Sequence, residues 1–266
     1  MSIATESSSS YVTQERAVRA FNSIILRGCG RVRLQQTGRE SLKVRAPKRW
    51  MDRIETDVKN GALTLGLKKG GFPFLSWPMV NRGDIEYTIT ADVIEELRIS
   101  GAGDFDMGEL QVQDLRIGVS GSGRVSSRGI DAKSVLVNIS GSGKVSSDRL
   151  HAGEIQIKCS GSGKVAVDDV VAETFSSTIS GAGSVKAAGS ARDAEIRISG
   201  SGALSLEEFE TTHCKARISG SGKIRVNVME SLETSISGSG SVLYKGTPRV
   251  STHTSGSGRV GSIGEE

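Results

Sequence analysis

A four-residue phrase, Ser-Gly-Ser-Gly or Ser-Gly-Ala-Gly, recurs nine times along this chain of 266 residues. We call this phrase the marker. Its copies start at Ser100, Ser120, Ser140, Ser160, Ser180, Ser199, Ser219, Ser237 and Ser255. Successive copies are separated by 18 to 20 residues, and a nearly fixed period of this length is typical of stacked repeat architectures. The pattern therefore predicts a solenoid over residues 100–266.

Aliphatic residues recur at fixed distances from each marker. The residue just before it is usually Ile, and the residue five positions after its first Ser is usually Val or another apolar residue. Alternation such as Val137-Asn138-Ile139 indicates half-buried strands, and a period of 20 residues leaves no room for helices. We therefore predict an all-β, right-handed parallel β-helix of about nine coils, with about 20 residues per coil. Gly in the marker suits corners that need positive φ or close backbone approach.

The ends of the chain differ from the repeats. Residues 1–10 are polar and Ser-rich, and we expect a disordered tail there. Residues 11–99 contain alternating segments such as Leu42-Lys43-Val44, which predict a β-rich N-terminal cap. Before the last marker the usual Ile is replaced by Thr254. The C-terminal coil is therefore expected to be thinly capped and is a candidate stacking surface.

Composition restricts the class of protein. Lys and Arg outnumber Asp and Glu by 34 to 30, and the three Cys form no Cys-x-x-Cys pair, so no disulfide framework is predicted. The N-terminus lacks a basic segment followed by an apolar one, and no apolar run is long enough for a membrane span. From these features we expect a cytoplasmic protein without a transmembrane segment.

Several elements together resemble the putative auto-transporter adhesin, head GIN domain family. They are the Phe-x-x-Ile of Phe21 and Ile24, the Gly-x-Gly turn of residues 28–30, the element at residues 60–65 and the serial Ile-Ser-Gly-Ser-Gly-Lys-Val phrases. The similarity covers about residues 17–245 as one continuous domain. This resemblance implies a β-helical fold and an adhesin-like protein of the cell envelope or surface, which is the alternative to the cytoplasm.

The residue after each marker is often cationic, and three consecutive copies carry Arg124, Lys144 and Lys164. We call these three residues the cationic strip. Like charges on neighbouring coils, about 4.8 Å apart, must face solvent. We hypothesise that the strip binds an anionic polymer or glycan, and that Arg98, Lys158, Arg197 and Arg217 extend it. The alternative is that these cations only keep a flat β surface hydrated and prevent edge-to-edge aggregation.

Residues 70–80 form the most apolar segment outside the repeats, with two Pro that exclude a central strand. We predict a loop that either covers the end of the solenoid or docks a partner, including a second copy of the chain. Its candidate partner-binding residues are Phe72, Phe74, Trp77 and Met79.

Residues for catalysis, metal binding or cofactor binding are not predicted. The three His lack metal-ligand spacing, and His213 and Cys214 are adjacent, so in a strand they point to opposite faces. Cys159 and Cys214 fall in apolar columns and are expected in the core, whereas Cys29 lies at a turn. No Gly-rich phosphate loop precedes a helix, and no specific nucleic-acid partner is predicted.

The preferred interpretation is a non-catalytic, adhesin-like solenoid that presents repeated side chains to a glycan or another repetitive partner. The second is a cytoplasmic scaffold that self-associates through the end of the solenoid. The third is a polysaccharide-active enzyme, which would need a groove with convergent acidic residues. Acidic pairs such as Asp168-Asp169 and Glu207-Glu208 are scattered over different coils, which disfavours this third interpretation.

Overall fold

The computed structural model describes residues 10–68 and 83–264. Within these residues the chain forms eighteen strands and one short helix, α1 (Lys48–Met51). The strands are β1 (Tyr11–Arg16), β2 (Ser23–Gly28), β3 (Arg31–Gln36), β4 (Ser41–Pro47), β5 (Ile54–Lys59), β6 (Ala62–Leu67), β7 (Glu86–Ala91), β8 (Glu96–Gly101), β9 (Asp104–Gly121), β10 (Arg124–Gly141), β11 (Lys144–Gly161), β12 (Lys164–Gly181), β13 (Ser184–Gly200), β14 (Ala203–Gly220), β15 (Lys223–Gly238), β16 (Ser241–Lys245), β17 (Arg249–Ser255) and β18 (Arg259–Ser262).

Each strand from β9 to β15 makes one complete coil of a parallel β-solenoid. Consecutive coils pair in parallel, so that Val125 lies beside Val145 and Val145 beside Val165. Shorter strands form the remaining coils: β2, β3 and β8 at the N-terminal side, and β16 to β18 at the C-terminal side. The predicted all-β, parallel solenoid fold is therefore confirmed, while its right-handed winding stays a prediction.

The corners between coils explain why each marker needs two glycines. Gly141 has a φ of +115°, and a Cβ there would lie 2.7 Å from the carbonyl oxygen of Gly121. Gly143 is restricted by a side chain instead, because its Cβ would lie 2.4 Å from Cγ1 of Val119. Between them, the Ser142 N–H donates to the Gly121 carbonyl oxygen at 2.9 Å. Successive markers therefore stack directly on one another.

The shorter intervals between later markers are absorbed away from the marker. Between β12 and β13 the register shifts from Val167 to Val170, and between β14 and β15 it shifts from Leu206 to Glu210. A second shift between β14 and β15 follows from Thr211 to His213, and beyond it the pairing is regular again. Every marker in these coils remains in register with the next. Equivalent residues on either side of the markers therefore remain stacked although the length of a coil varies from 18 to 20 residues.

A narrow core of aliphatic ladders fills the coils. One column combines large and small residues, since Phe175 lies beside Ala194, and Ala194 beside Cys214. The ring of Phe175 packs against Phe209 with centroids 5.1 Å apart. This packing fills the space that the smaller residues leave.

Cys159 and Cys214 are both buried in this core, as the sequence predicts. Burial raises the pKa of the Cys214 thiol to about 12 and also raises that of Cys159. Both thiols therefore stay protonated at neutral pH and act as small apolar residues.

The first coils carry antiparallel strands on their outer side. β2 pairs in parallel with both β6 and β8, and β3 with both β7 and β9. β5 then adds to β6, and β4 followed by β1 adds to β7, all antiparallel. Of the predicted tail, residues 1–9 lie outside the described residues.

Candidate functional site

The cationic strip lies on one face of the solenoid. Arg124, Lys144 and Lys164 are the first residues of β10, β11 and β12, and each lies beside the next in the parallel register. All three side chains are exposed, at the spacing of about 4.8 Å between adjacent strands. Within residues 10–68 and 83–264 none of them has an ion-pair partner. The structure thus brings the three predicted residues together as a row of free positive charge.

The strip is local and does not run the length of the solenoid. In the coil before it the same position holds Asp104, which is buried, and the two coils after it hold Ser184 and Ala203. Two positions further along β10 and β11, Ser126 and Ser146 lie on the same side, and both hydroxyl groups already have acceptors. Ser126 donates to Asp106 Oδ1 at 2.7 Å, and Ser146 to the Val125 carbonyl oxygen at 3.5 Å. The free charge on this face therefore belongs to the row of cations alone.

The proposed extension of the strip is mostly neutralised. Arg98 pairs with Glu96 at 2.7 Å, while Arg197 and Arg217 share the carboxylate of Glu195. The remaining member of this column, Lys158, is exposed and has no ion-pair partner in the described part of the chain. Only Lys158 can therefore add free charge to the strip.

A groove of about 750 Å³ crosses the strands that lead into the markers. It gathers the carboxylates of Glu154, Asp193, Glu195 and Glu233. Glu195 and Glu233 both face Arg217, at 3.2 and 3.8 Å. These carboxylates hold a guanidinium group, which opposes their use as a paired general acid and base.

These four acidic residues were not predicted as a group from the sequence. The predicted acidic pairs, such as Asp168-Asp169, are adjacent in sequence, whereas the groove residues share positions relative to the marker. Glu154 and Asp193 lie six residues before a marker, and Glu195 and Glu233 lie four residues before one. Aligning the outward residues by their distance from the marker would have found them.

The histidines form pairs rather than a ligand cluster. His151 Nε2 lies 3.2 Å from Asp169 Oδ2, and His213 Nδ1 lies 2.9 Å from Ser231 Oγ. His213 is exposed and Cys214 is buried, so their side chains point to opposite faces as predicted. Within the two described ranges, no three His, Cys, Asp or Glu side chains come together as a metal ion would require.

A second depression, of about 1040 Å³, contains Cys29 together with Arg27, Glu55 and Lys68. Cys29 is half-buried. Desolvation, reinforced by the negative charge of Asp84, raises the pKa of its thiol. Because the thiolate is the reactive form, this environment weakens Cys29 as a nucleophile at neutral pH.

The predicted partner-binding residues Phe72, Phe74, Trp77 and Met79 lie outside the described residues. Their role therefore stays a prediction. In the part of the chain that is described, no helix has the length and apolar character needed to cross a bilayer.

Comparison with known proteins agrees with the fold. The model of a family described as putative auto-transporter adhesin, head GIN domain, matches residues 20–148 and 137–248. No curated protein matches the chain.

Similar solved structures cover nearly the whole chain. A putative lipid binding protein from Parabacteroides distasonis is 22% identical, with a TM-score of 0.71, over 97% of this chain and 98% of that protein. A putative adhesin from Parabacteroides merdae is 18% identical, with a TM-score of 0.71 and the same coverage. A putative adhesin from Parabacteroides distasonis is also 18% identical, with a TM-score of 0.72, over 96% of this chain and 98% of that protein. At these identities the likeness shows the fold.

Proposed function

The chain belongs to the putative auto-transporter adhesin, head GIN domain family, and from this premise we propose that it is a non-catalytic binding protein whose cationic strip holds an anionic polymer, such as an acidic glycan. The observation that carries the proposal is the row of three exposed, unpaired cations on adjacent strands of the described structure. A ligand bound there runs along the solenoid axis and meets one cation on each coil.

Electrostatics favours a ligand with regularly spaced negative charges. Two unit charges about 4.8 Å apart repel by on the order of 1 kcal/mol in water. Long side chains tolerate this repulsion in solvent by spreading apart, and bound anions at the same spacing would remove it. Arg197 and Arg217, by contrast, already have Glu195 as a partner and offer less to a ligand.

Protection against aggregation is a weaker explanation for these cations. Cations that serve this purpose are placed on edge strands, where backbone groups are unpaired. β10, β11 and β12 are paired along both sides, so they have no edge to protect. Hydration of the surface remains the competing role, and the binding experiment separates the two.

Retention on immobilised heparin, used as a generic sulfated polymer, tests the proposal. The strip variant carries Arg124→Glu, Lys144→Glu and Lys164→Glu. The control carries Arg19→Glu, Arg39→Glu and Lys133→Glu, three exposed residues elsewhere that give the same change in net charge.

We expect the strip variant to lose retention and the control to keep most of it. For wild-type protein, the logarithm of affinity should fall with the logarithm of salt concentration with a slope of about −2 to −3, as three charge contacts predict. Equal losses in the two variants would show that net charge alone governs binding, and would refute the strip as a site.

The family name favours the cell envelope or surface as the place of action. The cytoplasmic location expected from the N-terminus gains no support from the family or the solved structures, and we propose the surface instead. Fractionation of the native host, with protease treatment of intact cells, tests this. Protein that remains in the cytosol and is protected from protease would refute the surface location.

A further inference from the structure

The last coil ends in two strands that are each paired on one side only, β17 and the shorter β18. β17 pairs in parallel with β15, and β18 with β16, and no described strand lies on the other side of either. Every residue of β17 is exposed. An unpaired edge of this length is a template for a further strand.

The inward column of β17 differs from that of the coil below. Leu232, Thr234 and Ile236 of β15 are buried, and they lie beside Val250, Thr252 and Thr254. Val250 is 37% exposed, whereas Leu232 is 1% exposed. Thr234 Oγ1 donates to Thr252 Oγ1 at 3.1 Å, and this hydroxyl ladder ends at Thr252. The two threonines make this end polar enough to face water, but Val250 remains an apolar residue with no coil packed above it.

We propose that β17 is the interface between two copies of this chain, paired antiparallel about a two-fold axis at Thr252. In this register Val250 lies opposite Thr254 of the partner subunit, and Thr252 lies opposite its own copy. Inward residues then meet inward residues, as a shared core requires. The threonine ladder continues across the interface, and such cross-strand Thr pairs stabilise sheets.

Charge favours this register over its neighbours. Centring on Thr252 places Arg249 opposite Ser255 and His253 opposite Ser251, so no two basic residues face each other. A shift centred on Ser251 would place Arg249 opposite His253, and one centred on His253 would place two histidines together. Registers centred further out, on Val250 or Thr254, also keep the basic residues apart but pair only part of β17. The register centred on Thr252 pairs all seven residues of Arg249–Ser255 without opposing two basic side chains.

The other end of the solenoid favours a closed pair over a filament. The outermost described strands there, β1 and β5, are antiparallel additions. They carry Glu15, Glu55 and Asp57, and charged side chains of this kind discourage edge pairing. Pairing of like ends gives an isologous dimer, which closes after two copies.

A cysteine scan tests both the interface and its register. In a Cys29→Ser background, where the other two thiols are buried, Thr252→Cys, Ser251→Cys and His253→Cys are compared under mild oxidation. Only a residue opposite itself brings its two Cα atoms to about 4.5–5.5 Å, a distance that a disulfide spans. We expect Thr252→Cys to cross-link at least tenfold faster than the two neighbours.

Sedimentation equilibrium of the wild-type protein supplies a measurement without cysteine. The mass should rise with concentration from 28.0 kDa towards about twice that value. A mass that stays at one chain at every concentration overturns the interface. Faster cross-linking at Ser251 or His253 overturns the register. Retention on heparin depends on residues of β10 to β12, so failure here and failure of the proposed ligand site are distinguishable.

Discussion

Replacing either glycine of one marker by alanine should lower the stability of the protein, but for a different physical reason in each case. Gly143→Ala puts a methyl group 2.4 Å from Cγ1 of Val119. Overpacking of this kind costs about 1–3 kcal/mol. Gly141→Ala instead forces a side chain onto a residue at φ +115° and against the Gly121 carbonyl oxygen. Strain in this backbone region costs about 1–3 kcal/mol before the contact with the backbone is added.

The difference appears in a double-mutant cycle with Val119→Ala. Truncating Val119 removes the atom that Gly143→Ala meets, so the double variant should recover part of the loss. We expect a coupling of about 1–3 kcal/mol between these two sites. Gly141→Ala meets main-chain atoms, which no side-chain truncation removes, and its coupling to Val119→Ala should be close to zero.

Chemical denaturation supplies the free energies of unfolding, provided that the slope against denaturant is unchanged. Gly118→Ala is the matched control, because its Cβ would make only an ordinary contact of 3.5 Å with Arg98 and its φ is not positive. This variant should be as stable as the wild-type protein or slightly more stable. Equal rescue of Gly141→Ala and Gly143→Ala by Val119→Ala would refute the distinction between backbone and side-chain causes.

Three further predictions concern buried polar groups and thiols. Ser177→Ala should raise the thermal midpoint by the equivalent of about 1–3 kcal/mol, because the buried Ser177 hydroxyl has no hydrogen-bond partner among the described residues; a lower midpoint would imply a partner. Burial raises the Cys214 pKa to about 12, so between pH 9 and 12 the unfolded chain binds fewer protons than the folded one. Over this range the wild-type protein should lose stability relative to Cys214→Ala by about 1.4 kcal/mol per pH unit. Parallel pH profiles of the two proteins would contradict this. A bulky maleimide should modify Cys29 in the native protein and reach Cys159 and Cys214 only after unfolding; rapid labelling of all three thiols would show that the core opens readily.

The fold was predictable because the period of the marker determines the length of each coil, which residues of neighbouring coils lie side by side, and which of them are buried. Ile139 and Val145, on either side of one marker, are both buried, and their spacing from the marker identified them as ladder residues. The antiparallel pairing of β4 with β7 was not predictable in this way, since it joins residues more than forty positions apart and outside the repeat. Alternation indicates a strand but does not indicate its partner.

The candidate site also has features that the sequence predicts and features that it does not. The exposure and register of Arg124, Lys144 and Lys164 follow from the period alone. Neutralisation of Arg197 and Arg217 depends on Glu195, which lies two residues before Arg197 and in the coil next to Arg217. The sequence reveals columns of like residues, whereas ion pairs form diagonally between columns and need coordinates.

The binding properties of such a solenoid therefore depend on columns of outward-facing residues rather than on single residues. A locked register repeats any outward residue at about 4.8 Å, so a charged residue type that recurs creates a one-dimensional array of charge. The array tolerates repulsion only where solvent or a ligand screens it. Nine of the twenty arginines in the described part of the chain, Arg197 and Arg217 among them, are instead paired with a nearby carboxylate. In the column of the cationic strip, three adjacent coils carry cations without an ion-pair partner among the described residues, and the run ends at Ser184 and Ala203. An array needed only for hydration would gain nothing from being concentrated on three interior strands, whereas a binding site for a short stretch of anionic polymer requires this concentration.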